Sequence, residues 1–209
     1  MSTKKKLIAA AEKCFYEKGF SATSLREITK RARANVASVN YHFGDKKQLI
    51  QAVFERYLSA FDNNIRARLD LIQSSESVSA ETLIRILLDS ILETRKLSAS
   101  GELIFIRLLN LAYSEQQGHL RKYVVREYPD TFEKVVSLLQ VAIPGWSRAE
   151  LFWRVHFLMG SVFFTLNSWQ ALHDISESEF SYAPDESRLL EELTAFVIGG
   201  LQAHEEKIQ

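Results

Sequence analysis

Helical periodicity runs almost without interruption through this chain. Only 8 glycines and 3 prolines punctuate its 209 residues, and no clear run of alternating β-branched residues suggests a strand. Apolar positions recur instead at three- and four-residue steps, the spacing of a helix that buries one face. The expected fold class is therefore all-α. The spacing predicts helices at about residues 3–18, 24–32, 36–43, 46–73, 80–97, 101–116, 118–142, 148–175 and 186–206. Breaks are expected at Ser74 to Ser77, Ser98 to Gly101, Pro144 to Ser147 and Ser176 to Pro184. Pro129 should kink or split the seventh helix, because proline lacks the ladder N–H and clashes with the preceding turn.

Within this pattern the segment SLREITKRARANVASVNYHFGDK, Ser24 to Lys46, has the sequence form of a helix-turn-helix. Ser24 and Glu27 have capping-box spacing. Leu25, Ile28 and Ala32 give the first short helix one apolar face. Arg33, Ala34 and Asn35 form the turn, and Asn35 can cap the next helix. Val36, Val39 and Phe43 should be the buried side of the second helix, leaving Ala37, Ser38, Asn40, Tyr41 and His42 outward. Ala37, Ser38, Asn40 and Tyr41 suit base or methyl contact in a major groove. Tyr41 and His42 suit phosphate equally well, and Tyr41 has a packing role as its alternative. Lys46, at the start of a long fourth helix, and Thr23 and Ser24, at the start of the second, suit phosphate. Arg33 and Asn35 complete the candidate DNA-binding set.

Charge shows the same division. The whole chain is neutral, yet residues 1–60 hold 12 Lys and Arg against 5 Asp and Glu, and the remainder holds 14 against 21. A basic module on an acidic body suits attraction to a polyanion, the part of DNA affinity that ignores sequence. Lys4, Lys5 and Lys6 either follow the DNA backbone or minor groove or form an unordered tail.

Residues 7–58 resemble the N-terminal domain of the TetR family of bacterial transcriptional regulators. The matching positions are Ile8, Ala11, Phe15, Gly19, Phe20, Thr23, Ser24, Leu25, Ile28, Ala32, Val39, Tyr41, His42, Phe43, Lys46 and Leu49. The resemblance implies a three-helix DNA-binding domain at 1–47, joined by a fourth helix from about residue 46 to a larger helical ligand-sensing and dimerisation domain at 48–209. It also implies a homodimer on a near-palindromic double-stranded DNA operator, since one reading helix touches few base pairs. Two positions depart from the family pattern: Arg33 stands where the family usually has Gly, and Asn40 where it often has Tyr. Three further segments, Phe105 to Leu109, Gln117 to Tyr123 and Glu150 to Phe157, are similar to the PsrA-type repressors of fatty-acid degradation genes. That similarity implies a long-chain fatty acid or acyl-CoA as effector, with a regulator of an efflux or stress operon answering another hydrophobic ligand as the alternative.

The body is rich in large apolar groups. Leu103 to Leu109 is apolar on every side except at Arg107, so its helix should be buried all round, and Leu151 to Leu166 is similar. Such residues build a core and a dimer face, or line a tunnel for an apolar ligand. The candidate ligand-binding residues are Phe105, Arg107, Leu109, Tyr113, Tyr123, Phe152, His156, Met159 and Phe163. A buried Arg107 would need an anion, either a Glu of another helix or a ligand carboxylate. Gln117, His119, Arg121, Lys122 and Tyr123 could meet the phosphates of an acyl-CoA or simply form a solvated helix start. For the dimer interface the candidates are Phe164, Trp169, Leu189, Leu193, Phe196, Val197 and Gly200, with Gly199 and Gly200 allowing close backbone approach.

The remaining composition narrows the class. A single cysteine, Cys14, excludes an internal disulfide and reads as a small core residue. No stretch of 18 apolar residues is free of charge or strong polarity, and the first residues have no secretory apolar region, so a cytoplasmic protein without a membrane span is expected. Neither a Ser-His-Asp set, nor metal-ligand spacing, nor a phosphate-cradling glycine loop is visible. The expectation is a non-enzyme with no metal and no cofactor.

Overall fold

The computed structural model describes residues 2–72, 78–98, 103–115 and 117–203. Over these residues the chain is all-α. The helices are α1 Thr3–Ala22, α2 Leu25–Ala32, α3 Val36–Phe43, α4 Lys46–Asp70, α5 Ala80–Glu93, α6 Ile104–Ser114, α7 Gly118–Glu127, α8 Pro129–Ala142, α9 Arg148–Asn167, α10 Trp169–Phe180 and α11 Glu186–Gln202. A short 3-10 turn, Thr94–Leu97, comes after α5. None of the described helices is long and apolar enough to cross a membrane. The break expected at 74–77 lies outside the described residues; that expected at 98–101 begins at Ser98, whose backbone is extended (φ −92°, ψ 133°), and the rest of it lies outside them.

Two compact units divide the chain, one made of residues 1–64 and 91–129, the other of 65–90 and 130–209. In the first, α1 turns Leu7, Ala11, Cys14 and Phe15 inward at helical spacing, and α2, α3 and α4 add Ile28, Val39, Phe43, Leu49, Val53 and Phe54. Phe20 sits at the centre, edge-on to Phe15 at 5.2 Å and tilted against Phe54 at 5.9 Å. Phe105 and Leu108 of α6 and Leu120 of α7 belong to this same core. The three N-terminal helices are thus packed together with α6 and α7.

A polar lock joins α7 to α4 in this unit. The Tyr123 hydroxyl donates to one Glu55 carboxylate oxygen at 2.6 Å, and the Tyr128 hydroxyl to the other at 2.7 Å. Burial first, and the bond to the Glu55 carboxylate second, push both phenols above the ordinary tyrosine value. Because the folded state holds these protons more tightly, their contribution to stability is whole below pH about 10 and declines as pH rises past it. The urea midpoint of the wild type should therefore fall more steeply between pH about 9 and 11 than that of a Tyr123→Phe/Tyr128→Phe variant. Parallel declines would contradict this.

In the second unit α9 and α11 pack side by side. Leu151, Val162, Phe163 and Leu166 of α9 and Leu193, Val197 and Leu201 of α11 are buried. Trp146 Nε1 donates to the Leu201 carbonyl at 3.2 Å, and the Arg154 guanidinium lies 3.5 Å from the centroid of the Trp146 ring. Ser147 and Glu150 form a complete capping box at the start of α9.

Several boundaries differ from the expected ones: α1 runs past residue 18 to Ala22, and α4 and α11 stop at Asp70 and Gln202, short of the expected 73 and 206. The helix expected over 148–175 stops at Asn167, whose side-chain amide donates to the Phe163 carbonyl at 2.8 Å and competes with the ladder there. A new helix then runs to Phe180 and ends at Ser181 in a left-handed conformation (φ 54°), so the break expected from Ser176 begins later. The helix expected to residue 97 ends at Glu93, with the 3-10 turn after it. Pro129 does split the seventh helix: Tyr128 leaves helical geometry (φ −128°, ψ 44°), as the residue before a proline is pushed to do.

Candidate nucleic-acid interface

The helix-turn-helix is built by three side-chain caps. Ser24 Oγ accepts from the Glu27 N–H at 3.2 Å to open α2. Asn35 Oδ1 accepts from both the N–H and the hydroxyl of Ser38 at 2.8 Å to open α3. Asp45 Oδ1 accepts from the Gln48 N–H at 2.8 Å to open α4. The Ser24–Glu27 box is only half closed, because the Glu27 carboxylate is drawn instead to Lys18. Between α2 and α3, Arg33 adopts the left-handed conformation (φ 51°, ψ 49°) that glycine favours. A side chain there costs about 1–2 kcal/mol.

On this frame α3 buries Val39 and Phe43 and presents Ala37, Asn40 and Tyr41 to solvent. Tyr41 is 85% exposed, which removes the packing role that its sequence allowed. Its ring meets His42 edge-on at 5.0 Å. Val36, expected inside, is 38% exposed. Ser38 is half-buried and bonded to Asn35, so its hydroxyl serves the cap before it can serve a base.

Thr23, expected to meet a phosphate, lies inside the core instead. It is 1% exposed, and its hydroxyl donates to the Gly19 carbonyl at 2.7 Å and the Cys14 carbonyl at 3.1 Å. A hydroxyl committed to two backbone carbonyls inside the core does not reach a phosphate. Ser24 and Arg33 remain exposed.

The acidic residues of the head are largely neutralised. Glu12 pairs with Arg56 at 2.6 Å, Glu17 with Arg31 at 2.7 Å and Glu27 with Lys18. The lysine run is no loose tail: Ser2 caps α1, and Lys4, Lys5 and Lys6 form its first turn. Lys4 Nζ lies 5.9 Å from the centroid of the Phe43 ring, which brings the run beside α3. Three cations against the positive end of a helix dipole are mutually unfavourable, and a neighbouring anion relieves them. Lys46 is half-buried at the start of α4, and burial lowers its pKa while the Glu115 carboxylate partly opposes that.

The candidate ligand residues divide between the two units. Phe105, Arg107, Leu109, Tyr113 and Tyr123 lie in the first, and Phe152, His156, Met159 and Phe163 in the second. Phe105 is fully buried, stacked on Tyr57 with centroids 5.9 Å apart. The buried guanidinium expected at 107 is not found: Arg107 is exposed, its Nε donates to the Tyr16 carbonyl at 2.7 Å, and its guanidinium lies over the Tyr16 ring at 4.7 Å. The helix around it is not buried all round, because Arg107 and Asn110 face out. Tyr123 is held by Glu55, and Tyr113 is exposed. Burial and the nearby Lys47 hold His119 below the ordinary histidine range, leaving it a poor cation for phosphate. In α9 the His156 ring lies against Phe152 with centroids 4.0 Å apart, Met159 is half-buried and Phe163 is buried.

Nor is α9 buried all round. Phe152, Trp153, Phe157 and Phe164 all face solvent, and Phe164 is 63% exposed. On α11, Phe196 is 69% exposed and Gly200 is open, with room for a Cβ. Leu193 and Val197 are taken into the protomer's own core, while Leu189 and Trp169 are half-buried. Of the residues expected at a dimer face, Phe164, Phe196 and Gly200 are thus the exposed ones. Periodicity joins α11's two faces into one stripe because its apolar residues spread over more than half the helix.

A capped helix-turn-helix on a basic head, in a chain whose second unit has an uncovered aromatic face, defines a DNA-binding regulator architecture. Residues 7–53 match the family described as bacterial regulatory proteins, tetR family, and residues 85–200 match the tetracyclin repressor-like C-terminal domain. The chain belongs to the TetR family. It is 33% identical over 89 residues to the probable HTH-type transcriptional regulator YttP of Bacillus subtilis (strain 168), covering 43% of this chain and 42% of that one. It is 32% identical over 95 residues to the transposon Tn10 TetC protein of Escherichia coli, covering 46% and 47%. The chain spans a little under half the length of these curated relatives. Among solved structures, the fatty acid degradation regulator FadR from Bacillus halodurans superposes with a TM-score of 0.62 over 98% of each chain, at 14% identity. SmeT, the repressor of the Stenotrophomonas maltophilia multidrug efflux pump SmeDEF, superposes with a TM-score of 0.55 at 16% identity, over 96% of this chain and 89% of its own. Both likenesses show the fold.

Proposed function

We propose that this protein is a ligand-responsive transcriptional repressor that binds a near-palindromic duplex as a homodimer in the cytoplasm. The reading surface lies within residues 1–47, and sensing and pairing lie in 48–209. The observation that carries the DNA-reading role is α3 itself: a capped two-turn helix that anchors two apolar residues and offers Ala37, Asn40 and Tyr41 to solvent on a basic head. Asn40 reads a base edge, Tyr41 and His42 meet base or backbone, and Lys46 holds a phosphate. Asn40→Ala should weaken binding to the preferred duplex, by about 1–3 kcal/mol, with little change on random duplex. Lys46→Ala should weaken both and flatten the salt dependence by roughly one charge. Equal losses on both duplexes for Asn40→Ala would remove it from base reading.

For the effector we propose a long-chain fatty acid or its acyl-CoA ester, with fatty-acid degradation genes as the regulated set. This rests on the segment resemblance around 105–109, 117–123 and 150–157 and on the apolar character of α6 and α9. A second reading, a regulator of an efflux or stress operon that answers another hydrophobic ligand, is favoured by Arg107. Its Nε bond to the Tyr16 carbonyl leaves it no longer a dedicated carboxylate receptor. Either effector acts only through its differential affinity for the DNA-bound and free states. Thermal shift with oleate, oleoyl-CoA and neutral hydrophobes, followed by release from the preferred duplex, decides between them. If the neutral compounds release the duplex and neither acyl compound binds, the fatty-acid reading fails.

A further inference from the structure

The end of α1 is gripped by α6 in a way that simple packing does not require. At Gly19 the backbone leaves helical geometry (φ 83°, ψ 174°). In an unbroken helix the Phe20 and Ser21 N–H groups would donate to the carbonyls of Tyr16 and Glu17. The Gly19 torsions turn those amides aside, and one carboxylate takes both. Phe20 N–H donates to Glu115 Oε1 at 3.1 Å, and Ser21 N–H and Ser21 Oγ–H each donate to Glu115 Oε2 at 2.6 Å. On the acceptor side of the same ladder step, the Tyr16 carbonyl receives Arg107 Nε. Glu115 caps the C-terminal end of α6 and Arg107 lies in its first half. Two side chains of one helix thus serve both sides of the break, with charge-assisted bonds stronger than neutral ones.

The break cannot be moved freely. A Cβ on Gly19 would collide with Glu115 Oε1 and lie 3.5 Å from a Leu111 methyl, and the positive φ itself disfavours any side chain. The chain beyond Gly19 is tied back to this turn. Thr23 donates to the Gly19 carbonyl one residue before α2 is capped. From α2, Glu27 pairs with Lys18 and Arg31 with Glu17, the two residues just before the glycine. The helix pair α2–α3 is therefore mounted on the very turn that α6 holds.

We propose that Glu115 and Arg107 are positioning residues for DNA reading: they fix the Gly19 kink and so set the angle at which α3 is offered to a groove. A shift in the last turn of α6 moves the carboxylate directly and retunes the head without touching DNA. The proposal rests on α3 as the reading helix and deepens that role.

The test uses the full chain. The wild type first selects its preferred sequence from a library of random 30-bp duplexes. Glu115→Gln and the milder Arg107→Gln are then compared with the wild type on the selected duplex and on random duplex over a range of salt. Amide exchange is followed at Phe20 and Ser21. Tyr128→Phe, which removes a bond to the Glu55 carboxylate elsewhere in the unit, controls for general loss of stability. Expected are at least ten-fold weaker binding of the selected duplex, random-duplex binding within two-fold, an unchanged salt slope and at least ten-fold faster exchange at Phe20 and Ser21 in Glu115→Gln. Tyr128→Phe keeps wild-type affinity. Faster exchange with unchanged affinity overturns the proposal, as do equal losses on both duplexes or unchanged exchange. Enrichment of no duplex by the wild type overturns the DNA-reading role itself, a result separable from the others.

Discussion

Phe164→Asp combined with Phe196→Asp yields a monomer that binds the preferred duplex at least about 100-fold more weakly. Both rings point away from the protomer's own core, one from α9 and one from α11. In a two-fold interface each residue counts twice, so four phenyl groups leave water on pairing. At about 1.5–3 kcal/mol for each phenyl, the contribution is on the order of 6–12 kcal/mol before the costs of association. Four carboxylates in their place would either stay hydrated, and hold the copies apart, or be buried without partners. A lone head loses the second half-site, and with it most of its discrimination against other sequences. Sedimentation velocity with duplex titration checks both halves of the expectation. A double variant that stays dimeric at micromolar concentration would place the interface elsewhere.

The second large effect is on stability. Phe20→Ala should destabilise the first unit by about 3–5 kcal/mol, and Phe20→Leu by about 1.5 kcal/mol. Phe20 is fully buried, its ring is shared between Phe15 of α1 and Phe54 of α4, and its backbone is the first link of the Glu115 grip. The alanine leaves a cavity that helices held by ion pairs and caps are slow to close. Since small domains have a total stability of about 5–15 kcal/mol, a substantial unfolded population of the first unit is expected near physiological temperature. Urea unfolding monitored by far-ultraviolet circular dichroism measures it. A loss below about 1 kcal/mol would mean that the aromatic cluster is not the centre of the core.

Much of this is legible in the residues because it is local. The two short helices at Leu25–Ala32 and Val36–Phe43, the split at Pro129 and the outward face of α3 depend on spacing, caps and proline, all of which act within a few positions. The features that local spacing misplaces depend on partners far along the chain or on the turn before. Thr23 looks like a helix-start hydroxyl until Gly19 and Cys14 supply it with carbonyls. Arg107 looks like a buried charge because the residues around it are apolar, yet a carbonyl 91 positions earlier satisfies it at the surface. Glu115 carries no local signal; the only hint is Gly19, a glycine within a helical pattern, which usually marks a cap or a close approach. Apolar content does not separate the inward residues Leu193 and Val197 from the outward Phe196, because that depends on where α9 packs.

The most direct measurement of the central claim is stoichiometry on a selected sequence. Purified protein is used to enrich duplexes from a random pool at moderate ionic strength, and the winning duplex is run with the protein in sedimentation equilibrium. A nearly symmetric sequence, bound by an even number of chains and preferred at least about 1,000-fold over random duplex, is the predicted result. No enrichment, or a single chain on an asymmetric sequence, would contradict it.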